Sequence, residues 1–190
     1  MISDHEIIEG CRKGKRRFQD LLYRQSASAL LVICYRYIGN RMEAEDVLHD
    51  TFIKIYKGIR NFNITDNGSL NGWMKRIAVN TALNYIRDNK KRSFEVIVDE
   101  EHTVDIVQDD DDNVYLLNDV EPEVIMKMIA EMPEGYRAVF NMYVFDQYSH
   151  QEIASSLGIS INTSKTQLRK ARLFLQKELH KKKTGIALTA

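Results

Sequence analysis

The sequence predicts an all-α protein of two small helical domains joined by an acidic flexible linker. Three observations carry that expectation. Apolar residues recur at three- and four-residue steps through most of the chain, the spacing that gathers one face of a helix. Sustained two-residue alternation is missing; only FEVIVDE (Phe94 to Glu100) has the character of a short strand. Charge is segregated as well: residues 1–98 carry +6, 99–123 carry −11 and 124–190 carry +5, so the formal net charge of zero hides an acidic block between two basic segments. The expected boundaries are 1–94 for the first domain, 95–120 for the linker and 121–190 for the second domain.

The first helix begins almost at once. Ser3 and Glu6 have the S-x-x-E form of a capping box, and Ile7, Ile8, Cys11, Phe18, Leu21 and Leu22 follow at mostly helical spacing. The clearest periodicity lies in RMEAEDVLHDTFIKIYKGIRNF, where Ala44, Val47, Leu48, Thr51, Phe52, Ile55, Tyr56 and Ile59 form one stripe. Its opposite face carries Asp46, His49, Asp50, Lys54 and Lys57. After the polar loop NFNITDNGS, a further stripe runs through Leu70, Trp73, Met74, Ile77, Ala78, Thr81, Ala82, Tyr85 and Ile86. Lys75, Arg76, Asn80, Asn84 and Arg87 fall on its other face, and the helix runs out into DNKKRS. Trp73, being on the apolar stripe, reads as core rather than as a platform for a base.

Residues 95–119 combine like charge with little periodicity, the composition of a segment too poor in apolar surface to offset its own ordering entropy. Glu121-Pro122 opens a new helical region, since proline suits a first helical turn. Val124, Ile125, Met128 and Ile129 give one helix; after Pro133, Tyr136, Val139, Phe140 and Tyr143 give the next. Then comes SHQEIASSLGISINTSKTQLRKAR (Ser149 to Arg172). Ser149 and Glu152 form a second capping box, Ile153, Ala154 and Leu157 face inward, and Gly158 suits a tight turn between helices. Ser160 caps a last helix whose buried side is Leu168, Ala171, Phe174 and Leu175 and whose outer side is Thr163, Lys165, Thr166, Arg169, Lys170 and Arg172. Helix, turn, helix, with polar and basic residues on the second helix, is an arrangement that reads the major groove of DNA. DNA binding follows from these residues; its purpose does not, since a repressor or a quorum-type regulator ends the same way.

Several classes are disfavoured by what the chain lacks. MISDHEIIEGCRKGKRR has no apolar run after a basic start, as a secretory signal would, and ALLVICYRYI is far shorter than the roughly 20 residues that span a bilayer. Cys11 and Cys34 stand in no CxxC pair and read as buried reduced thiols. His5, His49, His102, His150 and His180 are scattered, the Asp109 to Asp112 run lacks the glycine and distal glutamate of a calcium loop, and no G-x-x-x-x-G-K motif occurs. No catalytic residue, metal site, cofactor or small-molecule substrate is therefore expected.

AEDVLHDTFIKIYKGIRNF (Ala44 to Phe62) followed by SLNGWMKRIAVNTALNYIRDNKKR (Ser69 to Arg92) resembles domain two of the extracytoplasmic-function group of bacterial sigma factors. PEGYRAVFNMYVFDQYSHQEIASSLGISINTSKTQLRKARLFLQKEL (Pro133 to Leu179) resembles domain four of the same group, with no domain three between them. The resemblance implies a dissociable, non-catalytic subunit that binds core RNA polymerase through its clamp coiled coil and flap, directs it to a promoter and helps open the DNA. It implies core-polymerase contacts at Asp46, His49 and Asp50. It implies −10 contacts from the loop starting at Asn61 and from the next helix, with Asn80 and Asn84 for a flipped base and Lys75, Arg76, Arg87, Lys90, Lys91 and Arg92 along the single strand.

For the −35 element it implies Lys165, Thr166, Arg169 and Lys170 toward bases and Thr163 and Arg172 toward phosphates. Asn162-Thr163-Ser164 departs from the glycine and valine that often flank this threonine, which loosens any transfer of base preference. Further implications are cytoplasmic residence, an anti-sigma partner that holds the protein inactive and can keep it at the inner membrane, and a linker near the polymerase channels. For that acidic strap the alternatives are a stand-in for nucleic acid, a repellent of DNA, a cover for the basic faces, or a solvated spacer.

Overall fold

The computed structural model describes residues 2–64, 68–92 and 120–187, the side chains of 90–92 and 182–187 excepted. Among the described residues there are α-helices, one π-helical turn and no strand. FEVIVDE and the acidic linker fall outside them. The chain divides into two compact units, Met1–Ile86 and Arg87–Ala190.

In the first unit α1 spans Asp4–Arg12, α2 Arg16–Ile38, α3 Arg41–Gly58 and α4 Leu70–Arg92, the last running past the unit's end. The capping box that opens α1 forms: Glu6 N donates to Ser3 Oγ, and the Glu6 carboxylate accepts from Ser3 N at 2.8 Å. Those bonds hold the Glu6 carboxyl below its usual range, the backbone N–H contributing most. Ile7, Ile8 and Cys11 turn inward. Gly10 is what lets α1 approach α2, because a Cβ there would lie 2.1 Å from Phe18 Cγ.

Asn40 starts α3, its Oδ1 accepting from the N–H groups of Met42 and Glu43 at 2.9 and 3.2 Å. α3 packs extensively on α2 and buries Ala44, Val47, Leu48, Thr51, Phe52 and Ile55, the stripe expected from spacing. Burying each such aliphatic side chain stabilises by about 1.5 to 3 kcal/mol. Tyr56 adds a polar tie: its hydroxyl donates to Gln19 O at 3.0 Å, and burial pushes its pKa up to about 12. Hydroxyls on the buried faces are satisfied within their own helices, Ser26 donating to Leu22 O, Thr51 to Val47 O and Thr81 to Ile77 O. On α4 the buried residues are Leu70, Met74, Ala78, Val79, Thr81, Ala82 and Ile86, while Trp73, Ile77 and Tyr85 are half-buried. Trp73 thus departs from the expectation of core, and Val79 joins it.

In the second unit α5 spans Pro122–Glu131, α6 Glu134–Phe140, α7 His150–Leu157 and α8 Ile161–Ala187. Met128, Ile129, Val139, Phe140, Ile153, Leu168, Ala171 and Leu175 form its core. Buried Arg137 on α6 reaches back, Nη1 donating to Ala130 O and Met132 O at 2.8 Å each, and so satisfies carbonyls at the end of α5. Beyond Phe140 the helix does not continue in α register. Asn141–Phe145 is a π-helical turn, and Asp146 N donates to Asn141 O, five residues back. The second capping box forms between Ser149 and Glu152. Gly158 ends α7 at φ 67°, a left-handed conformation that favours glycine, and Ser160 Oγ accepts from Thr163 N at 2.9 Å to start α8.

Candidate nucleic-acid interfaces

Candidate residues stand on both units. On the first, Asp46, His49 and Asp50 are all exposed at i, i+3 and i+4 of α3, hence on one side of it. One turn further along that side stands Ile53, an apolar residue that is 38% exposed and that the polar-face reading passed over.

The end of α3, the residues just after it and α4 from Trp73 to Asn84 border an open cavity of about 500 Å³ lined by Lys54, Gly58, Asn61, Phe62, Trp73, Ile77, Asn80, Thr81 and Asn84. Asn80 and Asn84, assigned from the sequence to a flipped base, therefore meet at one hollow with Asn61, the start of the loop expected to contact the −10 element. Their amides both donate and accept, which suits the edge of a base. Trp73 forms part of the wall, its ring centroid 4.7 Å from that of buried Phe62. Its other support is Gly58, where a Cβ would come within 3.0 Å of Trp73 Cζ2.

Lys54 and Thr81 were not singled out as site residues from sequence. Lys54 Nζ donates to Thr81 Oγ1 at 3.2 Å, which sets a cation beside the amides. Lys54 sits on the polar face of α3 and Thr81 on the apolar stripe of α4, so spacing alone gives no sign that they meet. Lys75, Arg76 and Arg87 are exposed but do not line the cavity. Arg87 Nε lies 3.8 Å from Asp88 Oδ1. The side chains of Lys90, Lys91 and Arg92 lie outside the described residues.

On the second unit the six residues assigned to duplex DNA divide in two. Lys165, Thr166 and Arg169 are exposed on the outer face of α8. Thr163, Lys170 and Arg172 are half-buried. The Thr163 hydroxyl is 2.8 Å from that of Ser160, the Lys170 ammonium lies 5.8 Å from the centroid of the Tyr136 ring, and Arg172 Nε is buried.

Behind this face, Ser164 is fully buried and its Oγ is 2.9 Å from His150 Nδ1, joining the two helices of the motif. His150 in turn stacks on Tyr143, with centroids 4.7 Å apart and planes 25° apart. Sequence reasoning missed this seam, although Ser164, Leu168, Ala171 and Leu175 follow the four-three-four step of a buried stripe. The electrostatics of the motif's start are also set: Ser149 holds the Glu152 carboxyl below its usual range, first through its hydroxyl and then through its backbone N–H. Among the described residues there is no cluster of three or more potential metal ligands, and no helix is long and apolar enough to cross a membrane.

Both halves of the chain match models of known families. Residues 22–92 match the family model Sigma-70 region 2, and residues 123–175 match Sigma-70, region 4. The ECF RNA polymerase sigma factor SigW of Bacillus subtilis (strain 168) is 34% identical over 155 residues, covering 77% of this chain and 81% of SigW. The RNA polymerase sigma-H factor of Pseudomonas aeruginosa is 25% identical over 184 residues, covering 93% of each chain. Among solved structures, the sigma factor RpoE in complex with the anti-sigma factor NepR from Bartonella quintana is 18% identical, with a TM-score of 0.49 over 85% of this chain and 96% of that one. With regions 2 and 4 matched in order and SigW aligned through most of its length, the chain belongs to the ECF RNA polymerase sigma factors, and its function is to direct promoter-specific initiation of transcription.

Proposed function

We propose that the two faces divide the work of initiation, with domain two at 1–94, domain four at 121–190 and the acidic linker, 95–120, between them. Asp46, His49 and Asp50 dock on the clamp coiled coil of core polymerase, where two carboxylates four residues apart can pair with basic side chains of a partner helix. Exposed Ile53 gives that contact an apolar centre. The cavity between α3 and α4 receives a base flipped out of the −10 element, and Lys75, Arg76, Arg87, Lys90, Lys91 and Arg92 follow the single-stranded backbone. Lys165, Thr166 and Arg169 read the −35 element as duplex. Thr163, Lys170 and Arg172 lie at its margin, toward phosphates.

The observation that carries this reading is the meeting of Asn61, Asn80 and Asn84 with Trp73 and Lys54 around one hollow, since a base taken out of its stack needs polar edges and an aromatic or apolar wall together. The protein makes no bonds itself. Polymerase chemistry acts on DNA that the factor has positioned. Cytoplasmic residence and an anti-sigma partner that covers these faces belong to the same proposal.

The test is co-elution with bacterial core polymerase, followed by run-off transcription. Wild-type protein forms a stoichiometric complex and binds duplex promoter weakly alone. The pair Asp46→Lys and Asp50→Lys, both on an exposed helix face, abolishes the complex while leaving the far-ultraviolet circular dichroism unchanged. Normal co-elution of that folded double variant would move the polymerase contact elsewhere.

A further inference from the structure

One charged side chain ties the N-terminal helix to the rim of the cavity. Arg12, the last residue of α1, lies some fifty residues from the loop it touches, as the separations of 47 and 50 positions to Ile59 and Phe62 record. Its Nε donates to Ile59 O at 3.3 Å, and its Nη2 donates to Phe62 O. Its Nη1 is held by the Glu9 carboxylate at 2.6 Å, one turn back on α1. All three guanidinium nitrogens are thus engaged, with the side chain 35% exposed.

The two carbonyls belong to the chain as it leaves α3. The final carbonyls of a helix have no partner within it and carry partial negative charge, so a guanidinium there supplies both hydrogen bonds and charge complementarity. A planar fork with donors in fixed directions can span two carbonyls; an ammonium is a single point of charge and cannot match that geometry. Between the two clasped carbonyls lies Asn61, on the cavity rim. Phe62, fully buried, is the ring against which Trp73 rests. Arg12 does not line the cavity. It fixes the height and direction of the segment that does.

We infer that Arg12 is a positioning residue for −10 recognition, holding Asn61 and the Phe62–Trp73 wall in the geometry that selects the flipped base. The inference rests on the reading of the cavity as the −10 base site. Contacts to a base edge discriminate only when held within a few tenths of an ångström, and the residues that hold them matter as much as those that touch.

The experiment uses holoenzyme assembled with full-length wild type, Arg12→Lys, Arg12→Met and Asn80→Ala, on four promoters that differ only in the base unpaired at the −10 position. Open-complex formation is read by fluorescence of a probe in the melted strand, and thermal unfolding is recorded for each protein. Wild type prefers one base. Arg12→Met flattens that preference by about tenfold, the size of one lost base-edge contact, while −35 preference and core binding stay as in wild type. Arg12→Lys, which keeps charge without the fork, gives a smaller loss of preference at a melting temperature close to wild type. The inference is overturned if Asn80→Ala flattens the preference but both folded Arg12 variants retain it. If Asn80→Ala keeps the wild-type preference, or wild type shows none, the failure lies instead with the cavity as the −10 site, and the inference falls with it. Should Arg12→Met not fold, Arg12→Lys decides alone.

Discussion

Arg169 and Lys170 stand side by side in the sequence as residues expected to face bases, and their surroundings in the structure predict different effects. Arg169 is exposed on the outer face of α8, whereas Lys170 is half-buried with its ammonium 5.8 Å from the Tyr136 ring centroid. A well-placed arginine on a base edge discriminates by about 1 to 3 kcal/mol. Arg169→Ala should therefore lower transcription from the preferred promoter roughly 5- to 150-fold and leave promoters already changed at the contacted −35 base almost untouched.

Lys170 gives a different signature. Its contact with Tyr136 is of a kind worth roughly 0.5 to 1 kcal/mol at exposed sites, so Lys170→Ala spends most of its effect on domain stability. Any phosphate contact it makes is lost equally on every promoter and reduces the slope of log affinity against log salt by about 0.9. The assay is run-off transcription with reconstituted holoenzyme at limiting concentration, on a matched set of −35 variants and at two salt concentrations. If Lys170→Ala erased base preference as fully as Arg169→Ala, exposure would be the wrong guide to which residues read sequence here.

Two further outcomes follow from local geometry. Gly10→Ala places a Cβ 2.1 Å from Phe18 Cγ and 2.7 Å from Phe18 Cβ, and ring rotation cannot relieve the second contact. Overpacking of this kind costs about 1 to 3 kcal/mol, against a gain of at most roughly 1 kcal/mol from replacing a helical glycine. The first unit should melt several degrees lower, at about 4 to 8 °C per kcal/mol; an unchanged or raised melting temperature in a calorimetric scan would contradict the close approach of α1 to α2.

Acidification should weaken the helix-turn-helix through Glu152. Its carboxyl titrates below the ordinary 4.5, so its contribution is complete above that value and is lost as pH falls through the lowered one. Urea titrations of wild type and Glu152→Gln between about pH 3 and 6 should show a wild-type advantage that disappears at the acid end. A gap that stays constant across that range would sever the link to Ser149.

Local signals in the sequence were legible where the physics is local. Ser3 with Glu6 and Ser149 with Glu152 announce helix starts because each box closes within four residues. The stripe from Ala44 to Ile55 announces a buried face because period alone gathers it. The site was legible by half: Asn61, Asn80 and Asn84 do meet, yet Lys54 reaches Thr81 across two helices and Arg12 reaches Phe62 across the unit. Contacts of that kind depend on where helices are laid, which periodicity does not encode. Trp73 shows the limit in one residue. Its position on the stripe points inward, but the end of α3 leaves room beside it, and one side lines the cavity. Exposure likewise sorted Lys165 and Arg169 from Lys170 and Arg172 on a helix whose sequence marks them all as polar.

The π-helical turn at Asn141–Phe145 works as an indexing step. Each residue of an α-helix advances about 100° around the axis, so a five-residue hydrogen-bonded step at the end of α6 adds one extra increment just before the chain leaves the helix at Asp146. Phe140 and Asn141 point into the core, and the chain then departs toward Tyr148 and Ser149 along a heading that an uninterrupted helix would not give. Removing one residue from this turn would move the exit point at Asp146 by about 100° around the axis and change where the short connection to α7 departs. A single supernumerary amino acid thus sets where the chain leaves α6, and a one-codon deletion there would act on the connection into the helix-turn-helix rather than on either of its helices.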